Sequence, residues 1–253
     1  MLSLVILGTG NIANHLFDAF EKLDHVVVAQ VVGRSAQKLQ KFAQHTSTTT
    51  DFDNVLDADI YLIAVKDDAI GEVSAHLADK KGLVVHTSGV VDMHAISNFN
   101  RGAFYPLQTF SKERPMDFSQ IPICVEAQDH HSLGKLKKLA SLLSDSVHEI
   151  NSEQRKKLHL AAVFVNNFTN YLYGIGEEIC LSEGLAFDLL KPLILETAEK
   201  VQDLSPKAAQ TGPAKRGDIA SMQAHLKLIE REELKKLYKH LSEAIQKAYE
   251  KEL

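Results

Sequence analysis

A chain of 253 residues, 45% apolar and 24% charged, has the composition of an ordinary folded protein with room for one broad domain or two modest ones. That excludes a disulfide-stapled miniprotein, a disordered chain and a fibrous repeat. The formal net charge is −5, all of it arising before residue 151, and no basic run offers a footprint for nucleic acid.

Two cysteines, Cys124 and Cys180, sit among apolar neighbours, which points to free buried thiols in a reducing cytosol rather than a bridge. The apolar run at the start, up to Leu7, is too short for a signal peptide and has no basic segment before it, so a cytoplasmic location is expected. The stretch Leu158 to Ile175 is nearly uncharged, but it holds His159, Asn166, Asn167 and Asn170. A bilayer core tolerates such groups poorly, and a buried helix is the reading instead, with no membrane as partner.

In chain order, short apolar runs at Leu4 to Leu7, Val26 to Val32, Ile60 to Val65, Leu83 to His86, Ile121 to Val125 and Val147 to Ile150 read as strands. Helix-period segments lie between them. Ile12, Leu16, Phe17, Phe20 and Leu23 form one apolar face; a helix capped by Ser35 packs through Leu39, Phe42 and Ala43; a third carries Leu133, Leu136, Leu139, Ala140 and Leu143. This alternation predicts an α/β fold, a Rossmann-like doubly wound, mostly parallel sheet, followed by a smaller all-α domain. The boundary is expected after Asn151, giving domains 1–151 and 152–253. A long helix then starts at a Ser152 cap and runs to about Gly184, with others over Asp188 to Leu204, Asp218 to Leu226 and Glu230 to Glu250. Ser205 to Gly217 reads as an irregular connection.

The chemistry begins directly after the first strand, at Gly8, Thr9, Gly10, Asn11, Ile12 and Ala13. This is the G-x-G-x-x-A form of the dinucleotide fingerprint in its required context. Gly8 permits the tight turn, Gly10 lets a pyrophosphate approach, and Ala13 lets helix and strand pack. The open amides of the following helix attract phosphate. At the end of the second strand an NAD site carries an acidic residue, about 20 positions on. Here the strand ends in Gly33, Arg34, Ser35, and Arg34 can pair with a 2′-phosphate while Ser35 adds a hydroxyl. NADP is therefore favoured over NAD; the plain alternative is a solvated arginine and a helix cap.

Other strand ends supply further candidates. Val65 and Lys66 stand where a cofactor ribose would lie against backbone, with Asp67 and Asp68 as helix caps. His86, Thr87, Ser88 and Gly89 follow the next run, with Ser88 as a cofactor contact and His86 as either a proton donor or a structural residue. Tyr105 to Ser111 is an extended segment that either lines a substrate pocket or turns toward Ile121.

On the long helix, Ala161, Val165, Phe168, Leu172, Ile175 and Ile179 describe one packed face, and His159, Asn166, Asn170 and Tyr173 a narrow polar sector. Such polar groups need partners or a wet cleft; a substrate cleft facing the nucleotide domain and an interhelical or dimer interface both provide them. Lys215 and Arg216, in the loop before Asp218, either reach an anion or are surface charges. No metal site is expected: His130 and His131 are adjacent, and neither H-E-x-x-H nor C-x-x-C occurs.

On Gly8 to Ala13, His86 to Gly89, Tyr105 to Phe110, the His159 to Asn167 helix and Thr211-Gly212-Pro213, the chain resembles a family of bacterial Rossmann-like NADP oxidoreductases with a helical C-terminal domain of unknown function. More distantly it is similar to pyrroline-carboxylate reductases and β-hydroxyacid dehydrogenases. The resemblance implies a homodimer through the helical domain. In β-hydroxyacid dehydrogenases a catalytic Lys precedes an Asn-Asn pair by three residues; here the pair is Asn166-Asn167 and that position is Val163. His159, one turn earlier on the same side, stands in as the general acid, with Asn166 orienting the substrate.

The expected activity is NADP(H)-dependent hydride transfer to or from a small carbonyl or imine compound at the interdomain cleft. The alternative motivated by Val163 is a sensor or scaffold that binds NADP(H) without turnover. A third is a fold that persists without any dinucleotide.

Overall fold

The computed structural model describes residues 1–112 and 114–250. Eight strands form one sheet in the order β3-β2-β1-β4-β5-β6-β7-β8. They are β1 (Leu2–Leu7), β2 (Val26–Val32), β3 (Ser47–Thr49), β4 (Ile60–Ile63), β5 (Leu83–His86), β6 (Arg101–Pro106), β7 (Ile123–Ala127) and β8 (Val147–Glu149). Neighbours run parallel except β6 against β7. The chain winds outward in both directions from β1, so the loops after β1 and β4 diverge and leave a crevice at their carboxyl ends.

Helices cover both faces, which is why β4 and β5 are buried at every residue and read as unbroken apolar runs. Leu4, Ile6, Ile60 and Leu62 pack with α1 (Asn11–Phe20) through Leu16 and Phe20, and with α4 (His130–Ser141) through Leu136 and Leu139. On the other face Val5, Leu7, Tyr61 and Ile63 meet α3 (Ile70–Ala75). Each of these large side chains, wholly removed from water, contributes about 1.5–3 kcal/mol.

Two strands carry no apolar run and escape the sequence pattern. β3 is Ser-Thr-Thr at the sheet edge. β6 is Arg-Gly-Ala-Phe-Tyr-Pro, so the segment expected to be extended from Tyr105 onward belongs to the sheet as far as Pro106. The long helix also differs from expectation. Its cap is Asn151, which forms a capping box with Gln154, whereas the Ser152 hydroxyl turns inward to Glu126. After α5 (Ser152–Ala162), residues Val163–Phe168 form a π-helical turn before α6 (Thr169–Ser182). A π turn takes more residues than an α turn, so Asn170 and Tyr173 rotate out of the sector that a constant 3.6-residue period assigns to them with His159. Nor is this stretch buried in the chain: Phe164 is 60% and Val165 74% exposed.

Two compact units emerge, Met1–Asn170 and Tyr171–Leu253, so α5 groups with the sheet although the composition changes at Asn151. The second unit holds α7 (Lys191–Asp203), α8 (Pro206–Ala209), α9 (Ile219–Leu228, capped by Asp218) and α10 (Glu232–Tyr249). Within it Arg231 pairs with Glu178 at 2.8 Å, His225 meets the Tyr238 hydroxyl at 2.8 Å, and the Lys215 ammonium lies over the Tyr249 ring. Both cysteines are free and buried. Among the described residues no helix is long and apolar enough to cross a membrane.

Candidate functional site

The crevice begins where β1 ends. Gly8 donates its N–H to Val32 O at 2.8 Å, and Ala64 donates to Leu7 O at 2.7 Å, so the ends of β1, β2 and β4 are drawn together. Gly8 has φ +136°, and a Cβ there would lie 2.1 Å from the Ala64 carbonyl oxygen; only glycine fits. Gly10 then caps α1 by backbone alone, without a side-chain hydrogen bond. The first-turn amides of α1 are left without a capping side chain, and a Cβ built on Gly10 would meet nothing within 4 Å.

Above this turn lies a cleft of about 1000 Å³. Gly8, Thr9, Gly10 and Ile12 line it from the β1 turn, Arg34 and Ser35 from the end of β2, and Val65 and Lys66 from the end of β4. Those eight expected cofactor residues share one cavity. Ser35 caps α2 (Ala36–Leu39) by accepting from Lys38 N at 3.4 Å. Lys38 itself also lines the cleft, a residue the motif does not flag; its signal is a basic side chain one turn into the helix that Ser35 starts. Arg34, Lys38 and Lys66 make no ion pair among the described residues, while Asp68 and Glu72 line the same cavity from the α3 side.

The other two expected cofactor residues are not among the cleft lining, and their side chains bond within the chain. Asn11 sends its Nδ2–H to Phe110 O at 2.9 Å, and His15 Nε2 meets Ser111 O at 2.9 Å, so α1 tethers the segment beyond β6. The Ser88 hydroxyl accepts from Val90 N and Val91 N, both at 3.1 Å, and closes the turn after β5. Ser88 lies outside the cleft lining, one strand further along the same edge.

A second polar cluster occupies that next strand end, beneath α5. Arg155 is wholly buried. Its guanidinium pairs with Glu126 Oε2 and donates to Ser88 O at 3.1 Å, Val91 O at 2.6 Å and Ser152 Oγ at 3.0 Å. Ser152 in turn donates to both Glu126 oxygens, at 2.9 and 2.7 Å. This network bolts the start of α5 to β7 and to the turn after β5. Neither Arg155 nor Glu126 belongs to a motif; the one available clue is that Arg155 precedes His159 by four residues and shares its helix face.

His159, half-buried, lies one turn on. Its Nδ1 is 3.1 Å from the Tyr105 hydroxyl, and its ring packs on Gly89, where a Cβ would come within 2.5 Å of Nδ1. Burial, with Cys124 second, pushes the Tyr105 hydroxyl up to about 12. His86 is wholly buried and accepts from Ser88 N at 3.2 Å through Nδ1, and Nε2 has no partner within hydrogen-bond geometry among the described residues. Burial and then the Arg155 guanidinium lower its pKa to about 4, which favours the neutral ring at pH 7. Asn166 is exposed in the π turn. Among the described residues no cluster of three or more His, Cys, Asp or Glu could hold a metal.

A candidate NADP oxidoreductase from Bacteroides fragilis is 39% identical, superposes with a TM-score of 0.90, and the match covers 97% of this chain and 98% of that one. The chain belongs to this family. Residues 3–89 match the family model described as NADP oxidoreductase, coenzyme F420-dependent, and residues 121–245 match a domain of unknown function, DUF2520. A Thermotoga maritima protein of 23% identity (98% and 99% covered, TM-score 0.76) and the Plasmodium falciparum pyrroline carboxylate reductase with NADP bound (13% identity, 98% and 97% covered, TM-score 0.62) share the fold. No curated protein matches the chain.

Proposed function

We propose that this protein is an NADP(H)-dependent oxidoreductase acting on a small carbonyl or imine compound. The observation that carries the reading is the cleft over Gly8 to Gly10, with helix-start amides at its floor and Arg34, Lys38 and Lys66 around it without an ion pair among the described residues. The cavity suits a dinucleotide: the amides of α1 would hold the pyrophosphate, and Arg34 and Lys38 would grip a 2′-phosphate by charge-assisted hydrogen bonds. No carboxylate stands at the end of β2 to favour a free ribose hydroxyl. When bound, the nicotinamide supplies the hydride chemistry. The chain's own task is to orient the substrate and move a proton. His159 is assigned the proton, because an imidazole can carry a hydrogen on either ring nitrogen and both give and take one. Asn166, exposed and with no hydrogen bond to its side chain among the described residues, is assigned to substrate orientation.

The exposed apolar side chains Leu160, Phe164 and Phe168, spaced four apart, support a second copy as the partner that covers them. Val163, with no titratable group, supports the competing reading of a sensor that binds NADP(H) without turnover. A screen of carbonyl and imine compounds that follows NADPH absorbance separates the two. Turnover that falls at least about tenfold in His159→Asn, with NADPH affinity intact, supports the enzyme. Turnover unchanged in that variant removes His159 from its role, and binding with no turnover on any compound favours the sensor.

A further inference from the structure

We infer that Tyr105 is a positioning residue that fixes which nitrogen of His159 carries the hydrogen: its hydroxyl donates to Nδ1, so the neutral ring is the Nε2–H form. The inference deepens the proposed role of His159 and rests on that reading for its significance, though not for its geometry.

The Tyr105 hydroxyl lies 3.1 Å from His159 Nδ1, and this is its one hydrogen bond among the described residues. Tyr105 is only 8% exposed. Two arrangements are open to such a pair. If Nδ1–H donated to the phenol oxygen, the hydroxyl hydrogen would be left with no acceptor among the described residues. If the hydroxyl donates, every hydrogen in the contact is satisfied, and the phenol oxygen merely leaves lone pairs unused, which is the lesser penalty. The high pKa of the buried phenol keeps that hydrogen in place.

Gly89 holds the ring in the matching orientation. Its backbone sits against the Nδ1, Cγ and Cβ edge, at 2.5, 2.8 and 3.0 Å from where a Cβ would be. Nε2 is therefore on the opposite edge, and no described group hydrogen-bonds it. The remaining charged or titratable groups around the pair are His86 at the end of β5, Cys124 and Glu126 on β7, and Arg155 on α5. Glu126 offsets Arg155, while His86 is neutral. Nothing there competes with Tyr105 for Nδ1.

The consequence is chemical. His159 carries a hydrogen at Nε2 both as imidazolium and in its favoured neutral form, so this edge is arranged to donate rather than accept. In the reducing direction the imidazolium would give its Nε2 proton to the substrate oxygen or nitrogen as the hydride adds to carbon, leaving an alcohol or amine and the less favoured Nδ1–H ring, which returns to the Nε2–H form by proton exchange with water.

The test is ¹⁵N NMR of the histidine rings in the full chain across pH, with His159→Gln used to assign the resonance. The neutral wild-type ring is expected to favour Nε2–H at least about fivefold more strongly than a solvent-exposed histidine does, and Tyr105→Phe to lose most of that excess. A neutral wild-type ring protonated at Nδ1 overturns the inference without any variant, and so does an unchanged preference in a folded Tyr105→Phe protein. NADPH calorimetry on the same samples keeps the two readings apart. An intact Nε2–H preference without NADPH binding sinks the oxidoreductase reading alone, and NADPH binding with an Nδ1–H ring sinks this inference alone.

Discussion

Replacing Arg155 with Met removes the cation of an ion pair whose guanidinium is fully withdrawn from water. The change leaves the Glu126 carboxylate with only its two Ser152 donors, and it strips the Ser88 and Val91 carbonyls of theirs. Breaking one side of a buried pair costs about 3–5 kcal/mol. For a cooperative unit the size of Met1–Asn170, each kcal/mol moves the melting midpoint by about 2–4 °C, so Arg155→Met should melt roughly 6–20 °C below the parent. Calorimetric melting at neutral pH reads this directly. The penalty comes from an uncompensated charge rather than from lost attraction, so Arg155→Met/Glu126→Leu should regain most of the loss. A single variant within about 3 °C of the parent, or a double variant no better than the single, would refute the assignment of α5's anchorage to this pair.

The remaining expectations concern the buried imidazole, the open apolar stripe and the β1 turn. Because the folded chain holds His86 at about 4 against an ordinary 6.5, only the unfolded state takes its proton in that window; stability should fall as pH drops from 6.5 to 4, by about 3 kcal/mol in total. Urea unfolding of parent and His86→Gln at several pH values should show the variant lacking that part of the slope; equal slopes would contradict it. Light scattering behind size exclusion should give a particle of twice 28.0 kDa, with Phe164→Glu shifting it to the monomer; a parent already monomeric would remove the second copy as partner. Gly8→Ala, which drives a Cβ into the Ala64 carbonyl at a positive φ, should abolish NADPH binding in any fraction that still folds, and an affinity unchanged from the parent would show that the turn is not the cradle.

Much of this was legible in the amino acids because burial and turns leave local marks. The runs at β1, β2, β4 and β5 are apolar because helices cover both sheet faces, and Gly8 and Gly10 mark a turn that larger residues cannot make. Arg34 and Ser35 were readable from their place after β2. What resisted reading was nonlocal. β6 pairs through backbone with β7, and its Gly102 and Ala103 give no apolar signal. Asn11 fits the fingerprint, yet its side chain answers to Phe110, 99 residues away. Arg155, Glu126 and Tyr105 acquire meaning only when α5, β7 and β6 come together. The π turn defeated the polar stripe because a fixed helical period cannot foresee an inserted residue.

The central claim is that an adenine dinucleotide phosphate binds over the β1 turn with its extra phosphate between Arg34 and Lys38. Isothermal titration of the full chain with NADPH and with NADH tests it most directly. Saturable NADPH binding at least about tenfold tighter than NADH, with the preference lost in Arg34→Ala/Lys38→Ala, is the predicted result. No heat with either nucleotide, or equal affinity for the two, would contradict it.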